Sequence, residues 1–281
     1  MSNPALNAAA TADDTVERPP LPARGWPRQR IIGYALMAMW ISAGVGLVAY
    51  LISAYDPALF ARFAPAYLSG LKITLQLVGL SVLLGAILSA PIAWARQSKN
   101  RLFAWPAYIY VYFFRGTPLL AQAFLIYYGA GNFRPQLEAV GLWGFFREAW
   151  YCALLAFTLN TSAYQAEILR GAVQAVPRGQ WEGAASLGLP CWLTLRKIIL
   201  PQALIVALRP YGNEIILMIK GSAIVAIITV LDLMGETRRA YSRTFDFQTY
   251  IWAAVIYLAV VETLRNIINR IETRITVHLK R

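Results

Sequence analysis

Seven polar or ionisable residues interrupt otherwise apolar runs: Asn160, Thr161, Ser162 and Tyr164 within 149–169, and Asn213, Glu214 and Lys220 within 204–231. In hydrocarbon such groups are costly without partners, so they mark either a path for a polar solute or hydrogen bonds between helices. The chemistry open to them is non-covalent. Glu214 can receive a cationic group, while Asn160 and Ser162 can exchange hydrogen bonds with uncharged ones. The same groups can equally join helix to helix, a contact worth roughly 0.6–2 kcal/mol.

No residues with the spacing of a catalytic or metal site accompany them. The one histidine, His278, stands in the terminal tail, which removes Ser–His and H-E-x-x-H arrangements from the apolar runs. Cys152 and Cys191 are far apart and lack a C-x-x-C or C-x-x-H neighbour, so both are expected to pack rather than to bind metal or pair. The G-x-x-x-x-G-K-[ST] phosphate loop is missing too, so any ATP chemistry would belong to a partner. The chain is not expected to be an enzyme.

The elements that position the seven residues follow from composition. A hydrophobic fraction of 58% exceeds what a soluble core of 281 residues would hide. About 20 apolar residues of helix cross a bilayer. Runs at 31–53, 67–94, 103–129, 149–169, 204–231 and 250–268 therefore predict an all-α bundle of six transmembrane helices. Residues 1–30 are rich in Pro, Ala, Thr and charge and read as a disordered tail, and 271–281 reads as a basic tail.

The net charge of +12 does not point to nucleic acid, because Lys and Arg fall between the apolar runs rather than on one polar face. Sixteen of them lie in 1–30, 95–101, 166–201 and 265–281, against six in the three opposite loops. The bias toward basic residues on the inner side places both termini and the 170–202 stretch in the cytoplasm. The loop 232–249, with Arg238, Arg239 and Arg243, fits this least well. Lys72, near the outer interface, can snorkel and receives no role. Arg115 and Glu167 also need partners and can pair with each other.

The interval from Glu167 to Gln202 is too polar for a span and too long for a simple connection. Pro177 and Gly179 break the preceding helix, Gln180 to Leu187 can form a short one, and Gly188 with Pro190 ends it. Ala184, Ala185 and Gly188 give it a small-residue surface that a partner can approach closely. Taken alone, the segment is equally readable as an amphipathic helix in the headgroup layer.

Glu182, Gly183, Ala184, Gly188, Ile198, Leu200 and Pro201 follow the pattern E-A-A, three residues, G, nine residues, I-x-L-P. This resembles the EAA loop of binding-protein-dependent ABC importer permeases, with Gly183 in place of the first Ala. FRGTPLLAQ at 114–122, TLNTSAYQAEILRGA at 158–172 and PYGNEIILMIKGSA at 210–223 resemble the polar amino acid branch, in particular members for histidine, lysine, arginine, ornithine and opines.

The resemblance covers about 65–281. It implies a five-helix permease domain over 65–270, with 31–53 as an extra helix, in the bacterial inner membrane. It further implies ATPase coupling through Arg178, Glu182, Gly183, Ala184, Ala185, Gly188 and Pro190, although basic-side anchoring explains Arg178, Arg196 and Lys197 adequately. The partners it implies are two ATP-binding-cassette subunits carrying ATP and Mg, a second permease of the same or a sibling kind, and an extracytoplasmic solute-binding protein. The solute would be an amino acid, foremost a basic one or an opine, moved by alternating access. An ion-gradient-driven carrier is the alternative, and it gives no reason for the spacing of the loop.

Overall fold

The computed structural model describes residues 27–53 and 55–276. It divides into two compact units, Met1–Tyr55 and Asp56–Arg281. Most of the predicted N-terminal tail, and His278 with the end of the basic tail, lie outside the described residues. The first unit contributes α1 (Arg28–Ser53), a 26-residue helix that is apolar on all faces, as a lipid-facing helix should be.

The second unit is all-helical among the described residues. Its elements are α2 (Pro57–Arg96), α3 (Arg101–Gly116), α4 (Leu119–Gly131), the short α5 (Arg134–Ala139) and α6 (Trp143–Phe146), α7 (Ala149–Ala175), α8 (Arg178–Ser186), α9 (Cys191–Thr194), α10 (Leu200–Ser222), α11 (Leu233–Thr244) and α12 (Gln248–Thr276). A π-helical turn, Leu195–Ile199, joins α9 to α10, and a 3-10 segment, Ala223–Ile228, follows α10.

Local chemistry sets several of these boundaries. Asp56 caps α2, its carboxylate accepting from the Ala58 and Leu59 amides, with Pro57 at the first position where no N–H is needed. Asn100 caps α3 in the same way through Leu102. At 40 residues α2 is about 60 Å long, well beyond a hydrocarbon core, so it starts ten residues before the predicted run.

The expected count of six spans is not reproduced. Among the described residues four helical stretches are long and apolar enough to cross a membrane: α1, α2, Cys191–Ile228 and α12. A fifth arises if α3 and α4, which meet at 103°, form one broken span. The run 103–129 is thus two helices and not one, because Pro118 lacks the N–H that would continue the ladder. Although α7 is 27 residues long, the polar residues at 160–165 keep it from being as apolar as the others.

The packing is built on α7. Its Ala153, Ala156, Ala163 and Ala166 are buried, and small side chains let α2, α10, α3 and α4 close on it. Gly85 of α2 marks a close approach to α7: a Cβ there would lie 2.6 Å from Thr161 Cγ2 and 3.2 Å from Gln165 Nε2. The main core joins Leu77 and Val78 of α2, Phe157 of α7 and Met218 and Ile219 of α10.

Candidate functional site

Two regions collect the residues singled out above. The first is a buried polar cluster between α7, α10 and the bend from α3 to α4. The missing N–H of Pro118 frees the Phe114 carbonyl, which would otherwise accept from it. That oxygen accepts from Asn160 Nδ2 at 2.9 Å and from Gln122 Nε2 at 2.9 Å. Gln122 Nε2 also donates to Thr117 O and Oγ1, at 3.1 and 2.8 Å, and its Oε1 accepts from Asn160 Nδ2 at 3.0 Å. Two buried amides thus replace a helical bond where the chain turns, as an apolar environment demands.

One residue further along α7, Thr161 Oγ1 donates to Glu214 Oε1 at 3.0 Å and accepts from Gln165 Nε2 at 3.1 Å. Gln165 Nε2 also meets the Val82 carbonyl at 3.2 Å, and its Oε1 accepts from the Tyr211 hydroxyl. Ser162 Oγ lies 2.7 Å from the Tyr110 hydroxyl. Glu214 is only 6% exposed, and no Lys or Arg forms an ion pair with it among the described residues. A buried carboxylate held by one hydroxyl is a strong point for a cation to approach.

The structure therefore gathers Asn160, Thr161, Ser162 and Glu214, and it does not gather the other three. Asn213 and Lys220 are exposed on α10. Tyr164 turns to Arg115, its hydroxyl 3.4 Å from the Arg115 carbonyl and its ring 5.1 Å beneath the guanidinium. Gln122, Gln165, Tyr110 and Tyr211 join the cluster without having been singled out. Gln122 and Gln165 carry the same signal as Asn160, a strongly polar residue within an apolar run. Arg115 does approach Glu167, at 3.8 Å, but Arg96 and Arg170 hold that carboxylate more closely.

The second region is α8 with the turn after it. Arg178, Glu182, Gly183, Ala185, Gly188 and Pro190 are exposed. Ala184, by contrast, is buried, on the face that packs toward the π turn. The helix ends with Gly188 N donating to Ala185 O at 2.9 Å and Leu189 N to Ala184 O at 3.1 Å. Gly188, at φ +67°, supplies the left-handed residue that this closure requires. No heavy atom lies within 4 Å of a Cβ built on Gly183, so the alanine of the EAA pattern would fit there. Leu187 and Trp192 expose 78% and 69% of their surface beside this turn.

Three smaller groups of residues were also singled out. Cys152 is buried, its thiol donating to Phe146 O at 3.2 Å, whereas Cys191 opens α9 and is exposed rather than packed. Arg196, Lys197 and Lys72 are exposed. The doubtful loop 232–249 contains α11, capped by Asp232 through the Gly235 amide at 2.8 Å. Within it Arg239 pairs with Glu236 at 3.6 Å, and Arg238 donates to Ala226 O at 3.1 Å.

Comparison with known proteins places this geometry. The nopaline transport system permease protein NocM of Agrobacterium fabrum is 42% identical over 217 residues, covering 77% of this chain and 90% of its own. The arginine ABC transporter permease protein ArtM of Haemophilus influenzae is 37% identical over 218 residues, 77% of this chain and 95% of its own. The crystal structure of an amino acid ABC transporter with histidines superposes with a TM-score of 0.70 at 36% identity, covering 79% of this chain and 99% of that one. A MetNI methionine ABC transporter chain, at 18% identity and a TM-score of 0.62, shares the fold. Residues 81–274 match the model of the binding-protein-dependent transport system inner membrane component. The chain belongs to that family, as a multi-pass membrane transport subunit and not an enzyme.

Proposed function

We propose that this chain is the permease subunit of an ATP-driven importer of amino acids, foremost basic amino acids or opines, with its substrate path at the cluster of Asn160, Thr161, Ser162, Gln122 and Glu214. The observation that carries the solute class is Glu214. It is a buried carboxylate with a hydroxyl partner and no ion-paired Lys or Arg among the described residues, beside amides that already bind carbonyl groups. A guanidinium or ammonium group on the solute would supply an opposite charge in contact with it. The names of the relatives, nopaline and arginine permeases, agree with that chemistry.

Arg178, Glu182, Gly183, Ala185, Gly188 and Pro190 form the face offered to a separate ATPase, which would carry ATP and Mg. Two ATPase copies, a second permease and an extracytoplasmic binding protein complete the transporter in this reading, with both termini and α8 on the cytoplasmic side. The domain limits proposed are 31–53 for the extra helix and 65–270 for the permease domain. Family membership favours this reading over an ion-gradient carrier, and the shaped, exposed α8 has no task in a carrier working alone.

Uptake of labelled L-arginine by proteoliposomes holding the assembled transporter, with and without Glu214→Gln, tests the proposal. Expected is a loss of about tenfold or more for the variant, the scale of one charge-assisted contact. Equal uptake by both removes Glu214 from the path.

A further inference from the structure

Glu167 of α7 lies among three guanidinium groups. Arg96 Nε donates to Oε1 at 3.0 Å. Arg170 donates from Nε to both oxygens at 3.0 Å and from Nη2 to Oε2 at 2.8 Å. Arg115 Nη1 stands 3.8 Å from Oε2. The first two occupy most of the carboxylate's acceptor sites, so Arg115 is left as a Coulombic neighbour. Its guanidinium makes no hydrogen bond among the described residues, and its side chain is 43% exposed against 18% for Arg96 and 27% for Arg170. One carboxylate cannot ion-pair closely with all three arginines, and Arg115 is the one held at the longest distance.

The place of Arg115 makes this informative. Arg115 is the penultimate residue of α3, and its guanidinium meets Glu167 beside Arg96, the last residue of α2. It lines a cavity of about 560 Å³ that extends along α3 from Tyr108 and Tyr112 to Thr117, with Arg96 and Glu167 on its wall. Thr117 is also where Gln122 donates from the buried cluster. The cavity thus meets the edge of that cluster at Thr117, and an incompletely satisfied guanidinium faces it between Thr117 and Glu167.

We propose that Arg115 is a carboxylate-binding station on the inner part of the substrate path, receiving the carboxylate of an amino acid, or the additional carboxylates of an opine, after the solute leaves Glu214. This rests on the amino acid reading above. Glu167 is a positioning residue here: it and the Tyr164 ring hold Arg115 without using its donors. The aromatic, exposed side of α3 also suits a lipid headgroup, but contact with the cluster through Thr117 favours the solute.

The test is equilibrium binding to the purified permease–ATPase complex without the solute-binding protein. Labelled L-arginine is competed by unlabelled L-arginine and by L-argininamide, which lacks the carboxylate. Wild type should prefer the acid by about tenfold or more, the value of a charge-assisted bidentate contact. Arg115→Gln should bring the ratio near one, and Arg115→Lys should restore part of it. A ratio unchanged in the glutamine variant overturns the proposal.

Two measurements are independent of how well the variants fold. Modification of wild-type Arg115 by phenylglyoxal, read by mass spectrometry, should be slowed several-fold by L-arginine and not by the amide; equal slowing by both overturns the proposal. Protection by phosphatidylglycerol vesicles alone would assign Arg115 to a lipid headgroup and also overturn it. If wild type binds neither L-arginine, L-histidine nor nopaline, the amino acid reading itself fails, and this site with it.

Discussion

The α8 turn and the buried cluster are both polar interruptions in an apolar chain, and they use their polar groups in opposite ways. Around 160–165 almost every donor and acceptor is taken up by a neighbouring helix, and the exception is the carboxylate of Glu214. On α8 the charged and small residues face outward, and only Ala184 is turned into the bundle. A surface that keeps its shape while sparing its side chains is what the proposed ATPase contact needs. A cluster that consumes them is built to hold helices together, with one charge kept in reserve.

This contrast predicts different failures. The largest is expected on α8. Gly188→Val places a β-branched residue at φ +67°, where an L side chain costs on the order of 1–2 kcal/mol. The turn would rearrange and ATP-dependent uptake should fall below a tenth of wild type, with the permease still inserted and thermally intact. Uptake at the wild-type rate with full ATPase co-purification would remove the distinction drawn for this turn. In the cluster the effect should fall on stability as well as on uptake. Asn160→Leu leaves the Phe114 carbonyl with Gln122 alone and removes the donor to Gln122 Oε1, at a cost of about 1–3 kcal/mol. A lowered unfolding temperature in detergent, with ATPase binding preserved, is the expected readout.

The smallest change is Gly183→Ala. Its Cβ meets nothing within 4 Å, and helix propensity favours alanine by up to about 1 kcal/mol. Uptake should therefore be unchanged and stability equal or slightly higher. A drop in uptake would mean that the groove receiving α8 has no room for one methyl group at that point.

The two regions also differ in how far the sequence discloses them. The limits of α8 are local: Pro177 precedes it, Gly188 and Pro190 follow, and the observed Arg178–Ser186 lies within two residues of expectation. The inward turn of Ala184 is not local, since it depends on where the π turn packs. The membership of the cluster depends on which helix faces meet. Asn160, Thr161, Ser162 and Glu214 were legible as misplaced polar groups. The partnership of Asn160 with Gln122 depends on the bend at Pro118, which the unbroken apolar run 103–129 conceals. Asn213 and Lys220 carried the same polar signal and point away from the cluster, because polarity does not disclose the side of the helix. For Glu167 the partner Arg115 was legible, whereas the nearer Arg96 comes from the far end of α2, where only tertiary packing brings it close.

The two chain connections to α8 have unequal mechanical character. On one side α7 runs without proline from Ala149 to Ala175, about 40 Å of uninterrupted helix that includes the whole 160–165 stretch. On the other, α8 reaches α10 through a four-residue helix and a π-helical turn, a loosened winding with poorer registry. A displacement applied at α8 would reach Asn160 and Thr161 through a stiff rod, and Glu214 through a compliant joint. The two halves of the Thr161–Glu214 contact would then feel the same push by different amounts, so a small movement at one end of the molecule becomes shear across the bond at its centre.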